Sequence, residues 1–123
     1  ATGGQVTPGD ETAIAVPSGQ LVTLQETIWN VSGPEGLVTR FRFLAPAIAR
    51  EGGTVDFETA SADMLHLCQT FALDRVIQSG PAPAQVIISL ADRAVPFGEA
   101  SPDATQYFEA YRIEDGACIW EAF

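Results

Sequence analysis

The chain contains no lysine, a single histidine and a single methionine. Without a lysine there is no P-loop amine, no Schiff base to pyridoxal or to a carbonyl substrate, and no Ser-Lys catalytic pair, since each needs a primary amine at a set position. Positive charge rests on six arginines, Arg40, Arg42, Arg50, Arg75, Arg93 and Arg112, against sixteen acidic residues, for a net charge of −10. Such a surface repels phosphate backbones at long range, and six scattered arginines do not form the basic stripe that phosphate neutralisation requires. Nucleic acid is therefore not an expected partner, and neither is an anionic lipid surface. No run approaches the ~18 apolar residues of a membrane span, so membrane insertion is not expected. There is no Asp-x-Asp-x-Asp-Gly calcium loop and no Cys-x-x-Cys pair, and no cofactor or metal is expected.

What remains is globular. In 123 residues, 46 % of positions are hydrophobic and 18 % charged, enough apolar material for one domain with its own core. The two cysteines, Cys68 and Cys118, are the most informative residues present. An even cysteine count in a small domain leans towards an oxidising compartment, and Ala1 suits the position that follows small-residue cleavage of a leader. The expected location is periplasmic or secreted.

Residues 1–12 carry glycines, Pro8 and an acidic pair without apolar periodicity and read as a flexible lead-in to a single domain over 13–123. Ala13–Val16 is a short strand candidate ended by Pro17-Ser18-Gly19, and a longer strand runs from Leu21 to about Val31. Ser32-Gly33-Pro34-Glu35-Gly36 reads as a five-residue hairpin loop leading into Leu37–Leu44. Alternation along that strand places Leu37, Thr39, Phe41 and Phe43 on one face and Val38, Arg40, Arg42 and Leu44 on the other, so Phe41 and Phe43 point to the core. Thr54–Glu58 reads as a short edge strand.

From Thr59 the period changes. Met64, Leu67, Cys68 and Phe71 follow the i, i+3, i+4, i+7 template of an amphipathic helix, while Asp63, His66, Gln69 and Thr70 fall on its polar side. Thr59 or Ser61 is the expected N-cap, and the helix ends either near Leu73-Asp74 or at Ser79-Gly80-Pro81. Gln85–Ala91 is short, apolar and β-branched, as expected of a central strand buried on both faces. Gln106–Ile113 alternates Tyr107, Glu109, Tyr111 and Ile113 against Phe108, Ala110 and Arg112. Asp115-Gly116 then makes a hairpin into Ala117–Ala122. Strands, one helix, then strands predict an α+β fold: a mainly antiparallel sheet of about five to six strands with one amphipathic helix packed on one face.

Several groups of residues invite chemistry. Cys68 on the apolar helix stripe and Cys118 in the last strand form either a helix-to-strand disulfide or two separate buried thiols. Packing of that stripe on the sheet favours the disulfide. Neither sits at a helix N-terminus that would lower its pKa, so a catalytic nucleophile is not expected. His66 lies two residues from Cys68, but two residues on a helix rotate by roughly 200°, so the pair does not make a metal site. Asp63 can reach His66 as an ordinary surface pair. Asp56 and Glu58 would share a strand face, the geometry acid–base work needs, although with so many acids the pairs Asp10-Glu11, Asp56/Glu58 and Glu114-Asp115 read first as solvated. Arg40 and Arg42 share a face and are the candidate binding face for a carboxylate or phosphate; they equally suit cross-strand pairing with Glu26 or Glu109. Trp29, Trp120, Tyr107 and Tyr111 line the core or form an aromatic surface, with core the default. Asn30-Val31-Ser32 matches a glycosylation sequon, meaningful only in a eukaryotic secreted protein.

The run Asp63-Met64, Leu67-Cys68 and the ending Gly116-Ala117-Cys118-Ile119-Trp120-Glu121 resemble a small alphaproteobacterial domain family of unknown function. The resemblance implies a short exported protein and carries no active site. Some similar proteins are labelled acetolactate synthase. A thiamine-diphosphate enzyme of that kind needs several domains and a Gly-Asp-Gly segment, and neither fits this chain. The expected function is a non-enzymatic exported domain that binds another protein or an envelope component through a sheet edge or the Arg40/Arg42 face. The alternative is a small enzyme or ligand carrier with carboxylates such as Asp56 or Glu58 in a pocket.

Overall fold

A computed structural model describes residues 5–9, 12–33, 36–49, 53–78, 83–94 and 104–121. Six strands, β1 (Gln5–Pro8), β2 (Thr23–Gly33), β3 (Gly36–Leu44), β4 (Gln85–Ala91), β5 (Gln106–Glu114) and β6 (Ala117–Glu121), form one sheet in sequential order. All neighbours pair antiparallel except β3 and β4, which run parallel. A parallel pair needs a crossover. Here it is helical: α1 (Phe57–Leu67), a π-helical turn (Cys68–Ala72) and α2 (Leu73–Gln78) follow one another without a break. The result is the expected α+β architecture, with β4 at the centre of the sheet.

Side-chain alternation sorts the sheet into two faces. Phe41 and Phe43 of β3, Val86, Ile88 and Leu90 of β4 and Tyr111 of β5 turn towards the helix and are buried with Met64, Leu67, Cys68, Ala72 and Val76. Phe71 closes edge-on over Phe41 and Phe43, with ring centroids 6.2 and 5.5 Å away. Offset and edge-to-face contacts of this kind suit the aromatic quadrupole. The opposite face carries a smaller buried cluster of Val38, Ile87 and Ala110.

Four elements differ from the sequence expectation. Gln5–Pro8 pairs with β2 as an edge strand, although its residues show no periodicity. It is held by β2's register and by the Trp29 indole N–H, which donates to Thr7 Oγ1 at 2.8 Å. Gly9 then passes so close to Leu24 that a Cβ there would lie 1.8 Å from its carbonyl oxygen, so only glycine fits. Ala13–Val16 is not a strand. It crosses the core edge as a loop tied by the Ile14 amide to the Val22 carbonyl, and Ile14 and Val16 supply apolar contact without a ladder. β2 and β3 extend to Gly33 and Gly36, which pair with each other, so the hairpin loop shortens to residues 34–35, outside the described residues.

The fourth difference concerns the helix. Thr54–Glu58 is not an edge strand: Asp56 is the N-cap of α1, its carboxylate accepting the Thr59 amide at 2.9 Å. The cap is thus neither Thr59 nor Ser61. At the other end the chain does not break at Leu73-Asp74. The apolar positions slip by one residue there, since Ala60, Met64, Leu67 and Cys68 are followed by Ala72, Leu73 and Val76. One extra residue is absorbed in the π turn, where the Leu73 amide bonds the carbonyl of Cys68, five residues back. Thr70 Oγ1 donates to the His66 carbonyl at 2.7 Å in the same turn.

The final hairpin follows its sequence signal. Asp115 and Gly116 adopt φ of 52° and 76°, the two positive values a tight two-residue hairpin turn requires.

Candidate functional site

The π turn lies over β4 and β6. It brings Cys68 within 6.2 Å, Cα to Cα, of Cys118, with the two sulfurs at 2.12 Å, so that the helix is joined covalently to the last strand. Both residues are buried in the main core, so the bond is part of the packing.

Arg40 and Arg42 project together from the face opposite the helix, as alternation predicts. Arg42 Nη1 lies 2.7 Å from Glu26 Oε2 across the β2–β3 ladder, and its side chain is 8 % exposed. Burial, then the charge of Arg42, lowers the Arg40 guanidinium from its usual pKa. Of the two roles open to Arg42, cross-strand pairing with Glu26 is seen. Glu109, the other suggested partner, lies on the opposite face.

The acidic residues are arranged differently from expectation. Asp56 and Glu58 do not share a strand face: Asp56 is spent on the helix cap and Glu58 lies in the first helical turn. Asp63 is not a surface partner of His66. It is 0 % exposed and holds the loop before β2. Oδ1 accepts the Ser18 amide at 3.0 Å, and Oδ2 accepts the Ser18 hydroxyl at 2.5 Å and the Gln20 amide Nε2 at 2.7 Å. Glu114 at the hairpin tip accepts from Arg112 at 3.0 Å. Asp10 and Glu11, and the side chains of Asn30 and Ser32 in the sequon, lie outside the described residues.

A different constellation forms where α1 packs on β5, beside β6. The register Phe41–Ile88–Glu109 carries Glu109 onto the helix side of the sheet, between Tyr107 and Tyr111. Cross-strand pairing of Tyr111 with Trp120 puts Trp120 on the same side. Glu109 is only 5 % exposed. Its Oε1 accepts from Ser61 Oγ at 3.3 Å, and its Oε2 accepts from the Trp120 indole N–H. Phe57 stands edge-on to Tyr107, with ring centroids 5.1 Å apart. Two large aromatic residues here face solvent, Trp120 at 58 % exposed and Phe57 at 47 %. Burial, and secondarily the charge of Glu109, push the Tyr111 phenol well above its ordinary pKa of 10.0.

The sequence offered Trp120, Tyr107 and Tyr111 as an aromatic surface but took the core as the default, which holds for Tyr111 and not for Trp120, and it did not join Phe57 or Glu109 to them. The available signal was Tyr107-x-Glu109-x-Tyr111, a carboxylate on the inward face of an aromatic strand. Its meaning depends on which strand lies beside β5 and on where the helix begins. Among the described residues no group of three or more His, Cys, Asp or Glu side chains is arranged to hold a metal, and no helix is long and apolar enough to cross a membrane.

No curated protein matches the chain, and no solved structure does. The profile of one family matches nearly its whole length, from residue 2 to residue 123. A match of that extent settles membership: the chain belongs to the Family of unknown function (DUF6497).

Proposed function

We propose that the protein is an exported, disulfide-stabilised binding domain that engages a partner protein through the corner formed by Phe57, Tyr107 and Trp120. The observation that carries this is the exposure of Trp120, whose ring is held in place by the hydrogen bond from its N–H to buried Glu109. An indole left in water, on the same side of the sheet as an exposed Phe57, sacrifices apolar burial in the free protein. Rigid aromatic side chains of this kind recur as binding hot spots, because few rotamers are lost when they are covered. Export is supported by the joined cysteines, since a bond of this type persists where thiols are not kept reduced. The carboxylate-pocket alternative loses its named residues, because Asp56 caps a helix and Glu58 sits on the first turn.

The Arg40/Arg42 face is the competing surface, and one experiment separates the two. A displayed random-peptide library is panned on the oxidised domain, and the selected ligands are measured against variants. Trp120→Ala and Phe57→Ala should each weaken binding by about tenfold, or about 1.4 kcal/mol, whereas Arg40→Gln should leave it within about twofold. Ligands lost on Arg40→Gln and kept on Trp120→Ala would move the site to the opposite face.

A further inference from the structure

Glu109 is a buried carboxylate whose hydrogen bonds, among the described residues, come from neutral donors: the Ser61 hydroxyl and the Trp120 indole N–H. The strand arginines that could neutralise it, Arg40, Arg42 and Arg112, alternate onto the other face of the sheet. Among the described residues, therefore, no cation pairs with this carboxylate, which lies at the Nε1 edge of the Trp120 ring. Donation from the indole N–H to an anion enriches the ring's π face, the surface that attracts cations. That ring is the most exposed of the large apolar side chains described. The chain already uses such chemistry internally, with the Arg75 guanidinium 3.6 Å above the centroid of Phe71. A net charge of −10 adds a field that draws basic partners towards the domain.

We infer that the Trp120 ring is a platform for a cationic side chain, an arginine or lysine of the partner, with Glu109 as the anion at its Nε1 edge and the Phe57–Tyr107 pair further along the same side of the sheet. This rests on the proposal that the Trp120 corner is the binding surface, and it names what that surface selects. Glu109 acts through Trp120, orienting the ring and making it attractive to a cation. The partner segment lays an arginine or lysine across the indole and its neighbouring apolar residue against Phe57.

The test uses fluorescently labelled octa-arginine and its neutral isostere, octa-citrulline, titrated into the oxidised full chain at about 0.15 M salt, where long-range attraction is screened beyond about 8 Å. Octa-arginine should bind at least about tenfold tighter than octa-citrulline, and Trp120→Ala and Glu109→Gln should each remove most of that difference. Asp74→Asn, which deletes one negative charge on α2, should change binding by no more than about twofold. Trp120→Phe, at an exposed position that tolerates the change, should retain part of the preference and keeps the test valid if Glu109→Gln fails to fold. Equal loss in Asp74→Asn and Glu109→Gln, or binding indifferent to Trp120→Ala, would overturn the proposal in favour of diffuse attraction. Octa-citrulline binding as tightly as octa-arginine while still depending on Trp120 would refute the cation and leave the surface standing. Peptides selected from the library that ignore Trp120 and Phe57 would instead remove the surface itself.

Discussion

The bond between Cys68 and Cys118 should be the largest single contribution to stability that one chemical change can remove. It closes a loop with a sequence separation of 50 residues. In the chain-entropy treatment, a cross-link of that span removes enough freedom from the unfolded chain to stabilise the fold by about 4 kcal/mol. A domain of this length unfolds with an entropy of about 0.26 kcal/mol/K at its midpoint, so the loss corresponds to a fall in Tm of about 15 °C. The assay is thermal and urea unfolding by circular dichroism, of the oxidised protein, of the protein reduced before refolding, and of the Cys68→Ala/Cys118→Ala variant. Reduced wild type keeps both sulfurs in the core, so its difference from the oxidised form reports the cross-link. The double alanine variant adds about 1 kcal/mol for each sulfur-sized void. Hydrogen exchange should also quicken in β6 on reduction, because that edge strand then depends on its pairing with β5 alone. Oxidised and reduced midpoints within about 2 °C of each other would refute the reasoning. Two free thiols, trapped by alkylation in protein taken from its native host, would refute the proposed oxidising location.

Other consequences are open to measurement. Asp63→Ala leaves the Ser18 hydroxyl, the Ser18 amide and the Gln20 amide without their buried acceptor and should cost about 3 kcal/mol in urea unfolding. Asp63→Asn should cost less, because an amide oxygen still accepts. Acid should destabilise the domain for reasons visible in two carboxyls. Donation from Thr59 holds the Asp56 carboxyl below its ordinary value of 3.8. Burial pushes Asp92 upwards, but donation from Arg93 and the Thr105 amide outweighs it, and the net shift is also downward. Groups with lowered folded pKa values stabilise fully above the unfolded value and lose that stabilisation as pH falls through the folded one. Tm should therefore drop between about pH 5 and pH 3. The slope should be shallower in Asp56→Asn, which caps without titrating; an unchanged slope would remove Asp56 from the account.

Much of the architecture was legible because it rests on local chemistry. Alternation in Leu37–Leu44 placed Phe41 and Phe43 inward, the apolar run of Gln85–Ala91 marked the central strand, and Asp115-Gly116 marked the last turn. Each of these signals is short-range and is read by the backbone itself. β1 escaped notice because four residues without alternation become a strand only when β2 offers a ladder. Asp56 read as strand because a cap residue is itself extended and differs from a strand residue only in what its carboxylate accepts. Asp63 read as solvent-facing because helical phase says which way a side chain points and nothing about the Ser18–Gln20 loop that folds over it.

The site divides along the same line. The sequence alone determined an acidic composition without lysine, an amphipathic helix bearing Cys68, and a closing hairpin bearing Cys118 and Trp120. Only the tertiary structure decided that β3 and β4 run parallel, that the helix lays Cys68 against Cys118, and that Glu109 lies on the helix side away from the strand arginines, at the N–H edge of an exposed indole. Those outcomes depend on which strands become neighbours and in what register. Register couples residues tens of positions apart through packing, a relation that no local pattern in the chain records.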